Sequence, residues 1–435
     1  MRSAAFVLLA CLGLAAQQTD HVAPQPQIDY ETLGAQAFHF GYPLMAMAAW
    51  RDSDLKAGGA LNRFSHHREL LSAFAAESYP NMDTLYSTAW VDLSSGPVTL
   101  RVPAAGGRYL TLQFISAWTD TFAILSRKDL DGQAATLYLT PPLWQGAVPA
   151  GFRQIPCPTS IVAVWLRLFV AGEGDVPAVR ALQDQFVFSA APSPRPAPAA
   201  FLEKLGALLP SNPPPAPLRA AFERLEPLGL SIRNGFDPAV LSAETRRAVD
   251  EAIELARKDV PPRPTRQPRW MGGGWAVYDA GPAIPATQEE RMLRARGGPD
   301  AFAALPAQEF VYAVGYADSN GDPLRGDRRY VITFEAGSMP PVDGFWSFSV
   351  YTDRGRTVFG ARQSVHSFSP YLNRTADGSI RITLGPWLPL AEQSNWLPLE
   401  PGEGVRLMLR LYRPRRPVLD GSWRQPAIVP AESGQ

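Results

Sequence analysis

Cysteine is almost missing from this chain: Cys11 and Cys157 are the only two in 435 residues. If Cys11 leaves with an N-terminal leader, no internal disulfide can form, and stability must come from core burial. Cys157 lies between Pro156 and Pro158, with no neighbour that would lower its pKa. It reads as a small buried hydrophobe rather than a reactive thiol. Histidine is scarce too, with His21, His39, His66, His67 and His366 making up the five. No pair has the spacing of a zinc protease and no cysteine cluster accompanies them, so a metal hydrolase is disfavoured and neither metal nor cofactor is expected. Charge of one sign is also absent: Lys+Arg and Asp+Glu both total 41. That argues against a nucleic-acid-binding surface. Beyond the N-terminus no apolar run is long enough to span a bilayer. There is no Gly-x-Ser-x-Gly elbow and no paired-carboxylate motif, which removes the usual signs of an α/β hydrolase or a glycosidase.

Proline, by contrast, is abundant at 43 residues, roughly twice its average share of about 5%. It favours turns and edges over long helices. With 46% hydrophobic residues, the chain suits two domains and a connector better than one core. Arg2 followed by the apolar run from Ala4 to Leu14 reads as a secretory leader, with small residues Gly13, Ala15 and Ala16 near a cleavage point. Two rivals are lipidation at Cys11, through Leu8-Leu9-Ala10-Cys11, and a retained anchor. The expected location is periplasmic or secreted.

The expected organisation is a leader over 1–16, a disordered stretch over 17–28, and helices plus a first β domain over 29–191. A proline-rich, partly helical connector over 192–305 and a second β domain over 306–430 follow. Asp29 is a candidate N-cap, and Leu33, Ala37, Phe40, Leu44 and Met47 mark one helical face. A second helix is expected over 67–77, which would put His66 and His67 on a solvated helix face. Six short strands then follow between 84 and 170, broken by turn residues. In the connector, Phe201, Leu202, Leu205, Leu208 and Leu209 have helical spacing, and 242–258 reads as a helix capped by Ser242. Gly272-Gly273-Gly274 reads as a turn, since no strand-turn-helix setting for a phosphate loop surrounds it.

The last third alternates cleanly. Trp346, Phe348 and Val350 alternate with Ser347 and Ser349, while Val405, Leu407, Leu409 and Leu411 alternate with Arg406, Met408 and Arg410. Such a pattern predicts an antiparallel sheet with one face in water. The fold class expected is mainly β with helical segments: two antiparallel, jelly-roll-like sandwiches joined by the proline-rich region.

Two sets of strings carry a resemblance. Pro80-Asn81-Met82-Asp83-Thr84-Leu85-Tyr86-Ser87 and the run from Asp175 to Asp184 resemble domain-of-unknown-function family 1254. Pro340-Pro341-Val342-Asp343-Gly344-Phe345-Trp346-Ser347, Asn395-Trp396-Leu397-Pro398, Leu411-Tyr412-Arg413-Pro414 and the run from Val418 to Trp423 resemble family 1214. The resemblance implies an exported or envelope-associated bacterial protein with two sandwich-like domains, and it implies no settled reaction. Three departures stand out: Met82 where the family often repeats Asn, Trp118-Thr119-Asp120-Thr121-Phe122 where a histidine-bearing string is common, and the stretch 360–371.

The richest polar cluster is Asn81, Asp83, Thr84 and Tyr86, in a loop opened by Pro80. One reading is structural, with Asx turns shaping the backbone. The other makes Asp83 an acid or base and Tyr86 a hydrogen-bond donor in a cleft. Asn81, Arg127 and Arg167 would then bind the ligand, an arginine pairing with Asp83 or clamping an anion. His366 is a lesser candidate base. Trp144, Trp165, Trp346, Trp387, Trp396 and Trp423 could stack on sugars but read first as core. Two functions follow: an envelope enzyme acting on a small polar or carbohydrate-like substrate, or a non-catalytic ligand-binding or scaffold protein. The expected partner is a small molecule or glycan; the sequence specifies no oligomeric state.

Overall fold

The computed structural model describes residues 28–70, 79–189, 200–260, 268–278, 281–358, 364–369, 372–387 and 395–431. The expected leader, Cys11, residues 17–27 of the expected tail and residues 71–77 of the expected second helix lie outside these. Residues 67–70 are not helical, and His66 lies in a short strand. His66 pairs with Ser87 across that strand and its Nδ1 lies 2.8 Å from Ser87 Oγ. Edge pairing therefore replaces the solvated helix face that the sequence suggested.

The first sandwich contains β1 (Ser65–His66), β2 (Thr84–Asp92), β3 (Val98–Val102), β4 (Leu110–Ser116), β5 (Thr121–Ser126), β6 (Ala135–Thr140), β7 (Phe152–Pro156), β8 (Ile161–Phe169) and β9 (Val187–Ser189). One sheet runs β1-β2-β8-β4-β5 and the other β7-β6-β3-β9. Leu85, Leu112, Phe114 and Val164 from the first interdigitate with Leu100, Leu137 and Leu139 from the second, forming one core. Period-two alternation dictates this, since each strand sends every other side chain inward. β7 escapes sequence reading because only Ile155 in it is buried.

Two short strands, β10 (Leu230–Ser231) and β11 (Gly235–Phe236), form a hairpin within the helical region. The second sandwich contains β12 (Arg269–Gly272), β13 (Trp275–Tyr278), β14 (Phe310–Gly315), β15 (Tyr330–Phe334), β16 (Trp346–Thr352), β17 (Ser364–His366), β18 (Ile380–Gly385), β19 (Trp396–Pro398), β20 (Val405–Tyr412) and β21 (Val429–Pro430). Its sheets run β12-β13-β14-β20-β16-β17 and β19-β18-β15-β21. Phe348, Val350, Leu407 and Leu409 meet Ile332, Phe334 and Ile382 in its core. All ladders are antiparallel except β6–β7 and β18–β19.

The helices build a third core. α1 (Tyr30–Lys56) is capped by Asp29, whose side chain accepts from Thr32 N. It packs against α2 (Phe201–Leu208) and α3 (Ala243–Lys258) through Phe38, Leu44, Leu205, Val249 and Ile253. Gly41 permits the α1–α2 approach, because a Cβ there would lie 2.7 Å from a Leu205 methyl. Ser242 caps α3 by accepting from Thr245 N, as its position before the apolar stripe implies.

The expectation of a water-facing side on the second sandwich is corrected by the structure. Ser347 and Ser349 are fully buried and Arg410 is 3% exposed. The outer face of the β12–β17 sheet packs there on the outer face of the first sandwich, with Phe345 and Tyr412 against Tyr109 and Phe169. Alternation reports that one face differs chemically from the other; it does not report whether water or another polar surface covers the polar side.

Candidate functional site

The seam between these two outer faces gathers most of the polar cluster. After Pro80 the chain makes an Asx turn: Asn81 Oδ1 accepts Asp83 N at 2.9 Å. Asn81 Nδ2 donates to Tyr86 Oη at 2.9 Å and to Thr84 Oγ1 at 3.3 Å. Asp83 sits at the start of β2, 1% exposed. Its Oδ2 accepts the Ser347 hydroxyl at 2.5 Å and the Tyr412 hydroxyl at 2.8 Å. Both donors come from the second sandwich, on β16 and β20.

Register explains why those donors are there. Across the seam-facing side of the second sandwich, Tyr278, Tyr312, Arg410, Ser347 and His366 are successive cross-strand partners. Side chains opposite one another on antiparallel strands share a face. The strands thus deliver two tyrosines, an arginine, a serine and a histidine in one row, and Asp83 docks on its serine.

Arg410 is the cation of this region. Its guanidinium donates to Ser349 Oγ (3.1 Å), Tyr351 Oη (2.9 Å) and the carbonyls of Tyr79 and Pro80 (both 3.2 Å). Tyr351 itself donates to Pro80 O at 2.6 Å. Burial opposes the charge, but Tyr351 and Asp83 around it more than compensate and hold its pKa above the ordinary arginine value. Burial also raises the pKa of Tyr351 and of Tyr412, with Asp83 adding to both, so each phenol remains a donor.

His366 is 7% exposed and stands edge-to-face on Phe169, with ring centres 4.9 Å apart. Burial lowers its pKa, while the Asp83 carboxylate pulls it back upward. The imidazole is therefore neutral at pH 7. Among the described residues, neither Asp83 Oδ1 nor His366 Nδ1 has a hydrogen-bond partner.

The other sequence candidates sit elsewhere. Arg167, on β8, donates to Gln113 Oε1 at 2.9 Å and to Ala303 O at 2.6 Å, with its guanidinium 5.5 Å from the Tyr86 ring centre. Arg127 is exposed and ties down the Gly106 carbonyl at 2.6 Å. Thus Asn81, Asp83 and Tyr86 are brought together, Arg167 lies over Tyr86, and Arg127 serves a loop. Sequence reading missed Ser347, Tyr351, Arg410 and Tyr412. The available signal was an arginine inside an apolar strand, at Arg410 as at Arg167. Of the tryptophans, Trp346 is core and Trp387 is exposed. Among the described residues no three His, Cys, Asp or Glu side chains converge on a metal geometry, and no helix is long and apolar enough to cross a membrane.

Comparison with known proteins agrees with this two-part layout. Residues 61–190 match the family described as "Protein of unknown function (DUF1254)", and residues 309–416 match "Protein of unknown function (DUF1214)". No curated protein matches. Among solved structures, the VPA0106 protein from Vibrio parahaemolyticus is similar, with a TM-score of 0.69 at 20% identity over 93% of this chain and 100% of that one. This likeness shows a shared fold. A putative uncharacterized protein from Burkholderia cenocepacia aligns over 93% of this chain and 94% of its own, at 14% identity and a TM-score of 0.44.

Proposed function

We propose that this chain, a DUF1254 region followed by a DUF1214 region, is an exported ligand-binding or envelope-scaffold protein without a reaction of its own. In this reading 29–191 holds the first β domain and 306–430 most of the second, 192–305 is a connector that also lends β12 and β13 to the second sandwich, and the mature protein is periplasmic or secreted. The observation that carries it is the commitment of Asp83. A general acid or base must change its protonation state during turnover, which a carboxylate held as a fixed acceptor does not do. Asp83 is 1% exposed and its Oδ2 holds two hydroxyls of the opposite sandwich. Its first role is to fasten the sandwiches together.

A second reading, an enzyme acting on a small polar or carbohydrate-like substrate through Asp83 and Tyr86, draws on one observation: Asp83 Oδ1 has no partner among the described residues. The test is a thermal-shift screen of the mature protein against envelope metabolites and glycans, followed by product analysis on each hit. A ligand that binds the folded state raises the melting temperature by mass action. The binding reading expects a hit that is recovered unchanged. Turnover of that hit, abolished in Asp83→Asn, would establish the enzyme instead.

A further inference from the structure

We propose that the end of the seam between Asp83 and His366 is a binding site for a neutral, hydroxyl-bearing ligand, covered by Phe368. The proposal rests on the binding reading above and names the chemistry of the ligand.

Two bare acceptors set the requirement, His366 Nδ1 being one in the tautomer that carries its proton on Nε2. Asp83 Oδ1 and His366 Nδ1 are buried with no partner among the described residues. An unsatisfied buried polar group is costly, so two of them on neighbouring side chains mark a place built for a donor. They are neighbours by register: His366 is the cross-strand partner of Ser347, and the Ser347 hydroxyl is on Asp83 Oδ2.

Charge selects the kind of donor. The Asp83 carboxylate is already balanced by Arg410, which is 3% exposed and electrostatically coupled to it. A cationic ligand would leave a net positive charge in a buried place, which is expensive without a further counter-ion. An anion would face two acceptors. A neutral ligand with two O–H groups donates one to each atom and leaves the balance unchanged.

Three phenylalanines supply the walls. Phe169 lies with its ring centre 4.5 Å from Phe345 and 5.5 Å from Phe368, and Phe368 is 6.0 Å from Phe345. Phe368 is 52% exposed, the outermost ring of the group and the one able to turn aside into water. Small-ligand sites have this composition, apolar walls with a few convergent polar atoms. A diol or polyol would place its C–H surface on the rings and one hydroxyl each on Asp83 and His366.

The experiment uses the full mature chain labelled with ¹⁵N in its histidine rings, with the His366 signals assigned from His366→Gln. Glycerol is titrated as the neutral probe and ethylammonium chloride, at matched ionic strength, as the cationic one. The expected result is a saturable shift of the His366 Nδ1 resonance with glycerol only. Asp83→Asn should weaken it by roughly tenfold or more, the effect of a hydrogen bond to a charged group. Because Asp83→Asn could loosen the seam, Phe368→Ala is the second variant; its exposed ring can be removed without unfolding, and glycerol should bind it several-fold more weakly. A saturable response to ethylammonium but not glycerol overturns the charge argument. No saturable shift, or one unchanged in both variants, overturns the site and leaves a single ordered water there. A library ligand that stabilises the protein without moving His366 would keep the binding function and discard this site.

Discussion

Tyr412 donates its hydroxyl to Asp83 Oδ2 across 2.8 Å, although 329 positions separate the two in the chain. The bond joins the last residue of β20 to the loop that begins β2. Neither group can exchange its partner for water without parting the two sandwiches, since both are almost fully buried.

Removing the carboxylate should therefore be severe. Asp83→Ala leaves Arg410 without its nearby counter-charge and two hydroxyls without an acceptor. A loss of about 3–5 kcal/mol is expected, the range for breaking a buried charge pair. Tyr412→Phe, which deletes one donor and keeps the ring, should lose about 1–3 kcal/mol. Urea denaturation measures both; an Asp83→Ala change within about 0.5 kcal/mol of wild type, the scale of an ordinary surface substitution, would contradict the fastening role.

Arg410 ties the Tyr79–Pro80 turn to the second sandwich through two carbonyls. Arg410→Met should release that turn and lower stability by about 3–5 kcal/mol. Amide exchange should accelerate at Asp83 and at Val170, whose N–H donates to the Asp83 carbonyl at 2.8 Å. Arg410→Lys should rescue little, because an ammonium cannot reach in the guanidinium's several directions at once. Unchanged exchange at Asp83 and Val170 would show that the turn is held by other contacts.

Acid should weaken the fold in a window set by histidine. Burial, aided by the charge of Arg68, lowers His66 to about 4 from 6.5. His366 is lowered as well, chiefly by burial. Between pH 6.5 and about 4 the unfolded chain binds a proton at His66 that the folded chain does not. Stability therefore falls as pH drops through that window. Urea midpoints across the range should show the slope, and His66→Gln should flatten part of it. A midpoint independent of pH there would contradict the assignment.

Cys157 should be inert in the native protein. It is 3% exposed, and burial pushes its thiol up to about 12. Alkylation by iodoacetamide should be negligible in buffer and complete in denaturant, because the thiolate is the reacting species. Rapid native alkylation would mean that the Thr140–Cys157 region opens.

Gly274, in the turn between β12 and β13, has φ +80, and a Cβ there would lie 1.9 Å from the Ala317 carbonyl oxygen. Gly274→Ala adds a left-handed backbone penalty of about 1 kcal/mol to that clash. A total loss of roughly 2 kcal/mol or more is expected by thermal or urea denaturation. A neutral effect would show that the hairpin can shift as a unit.

How much of this was legible in the sequence follows from what each signal encodes. Strands such as Thr84–Asp92 and Val98–Val102 were readable because each carries its own alternation. The caps Asp29 and Ser242 were readable because capping is local. Asn81, Asp83 and Tyr86 stood out as a cluster for the same reason. Their partners did not: Ser347 and Tyr412 are distant in sequence, and a serine on an alternating strand looks the same whether it faces water or a buried carboxylate. His66 was misread because its strand is two residues long and owes its existence to pairing with β2.

The hydroxyl and guanidinium lining of the seam also bears on how the chain is made. Thr84, Tyr86 and Thr111 sit on the face that the leading half displays until the trailing half has folded onto it, while Gln113 and Arg167 on the same face are met by the carbonyls of Ala304 and Ala303. A greasy surface left waiting that long would invite sticking to other nascent chains. Alcohols, an amide and a cation interrupt the apolar Tyr109 and Phe169 on that face, so the surface that waits for the trailing half is mixed rather than continuously apolar.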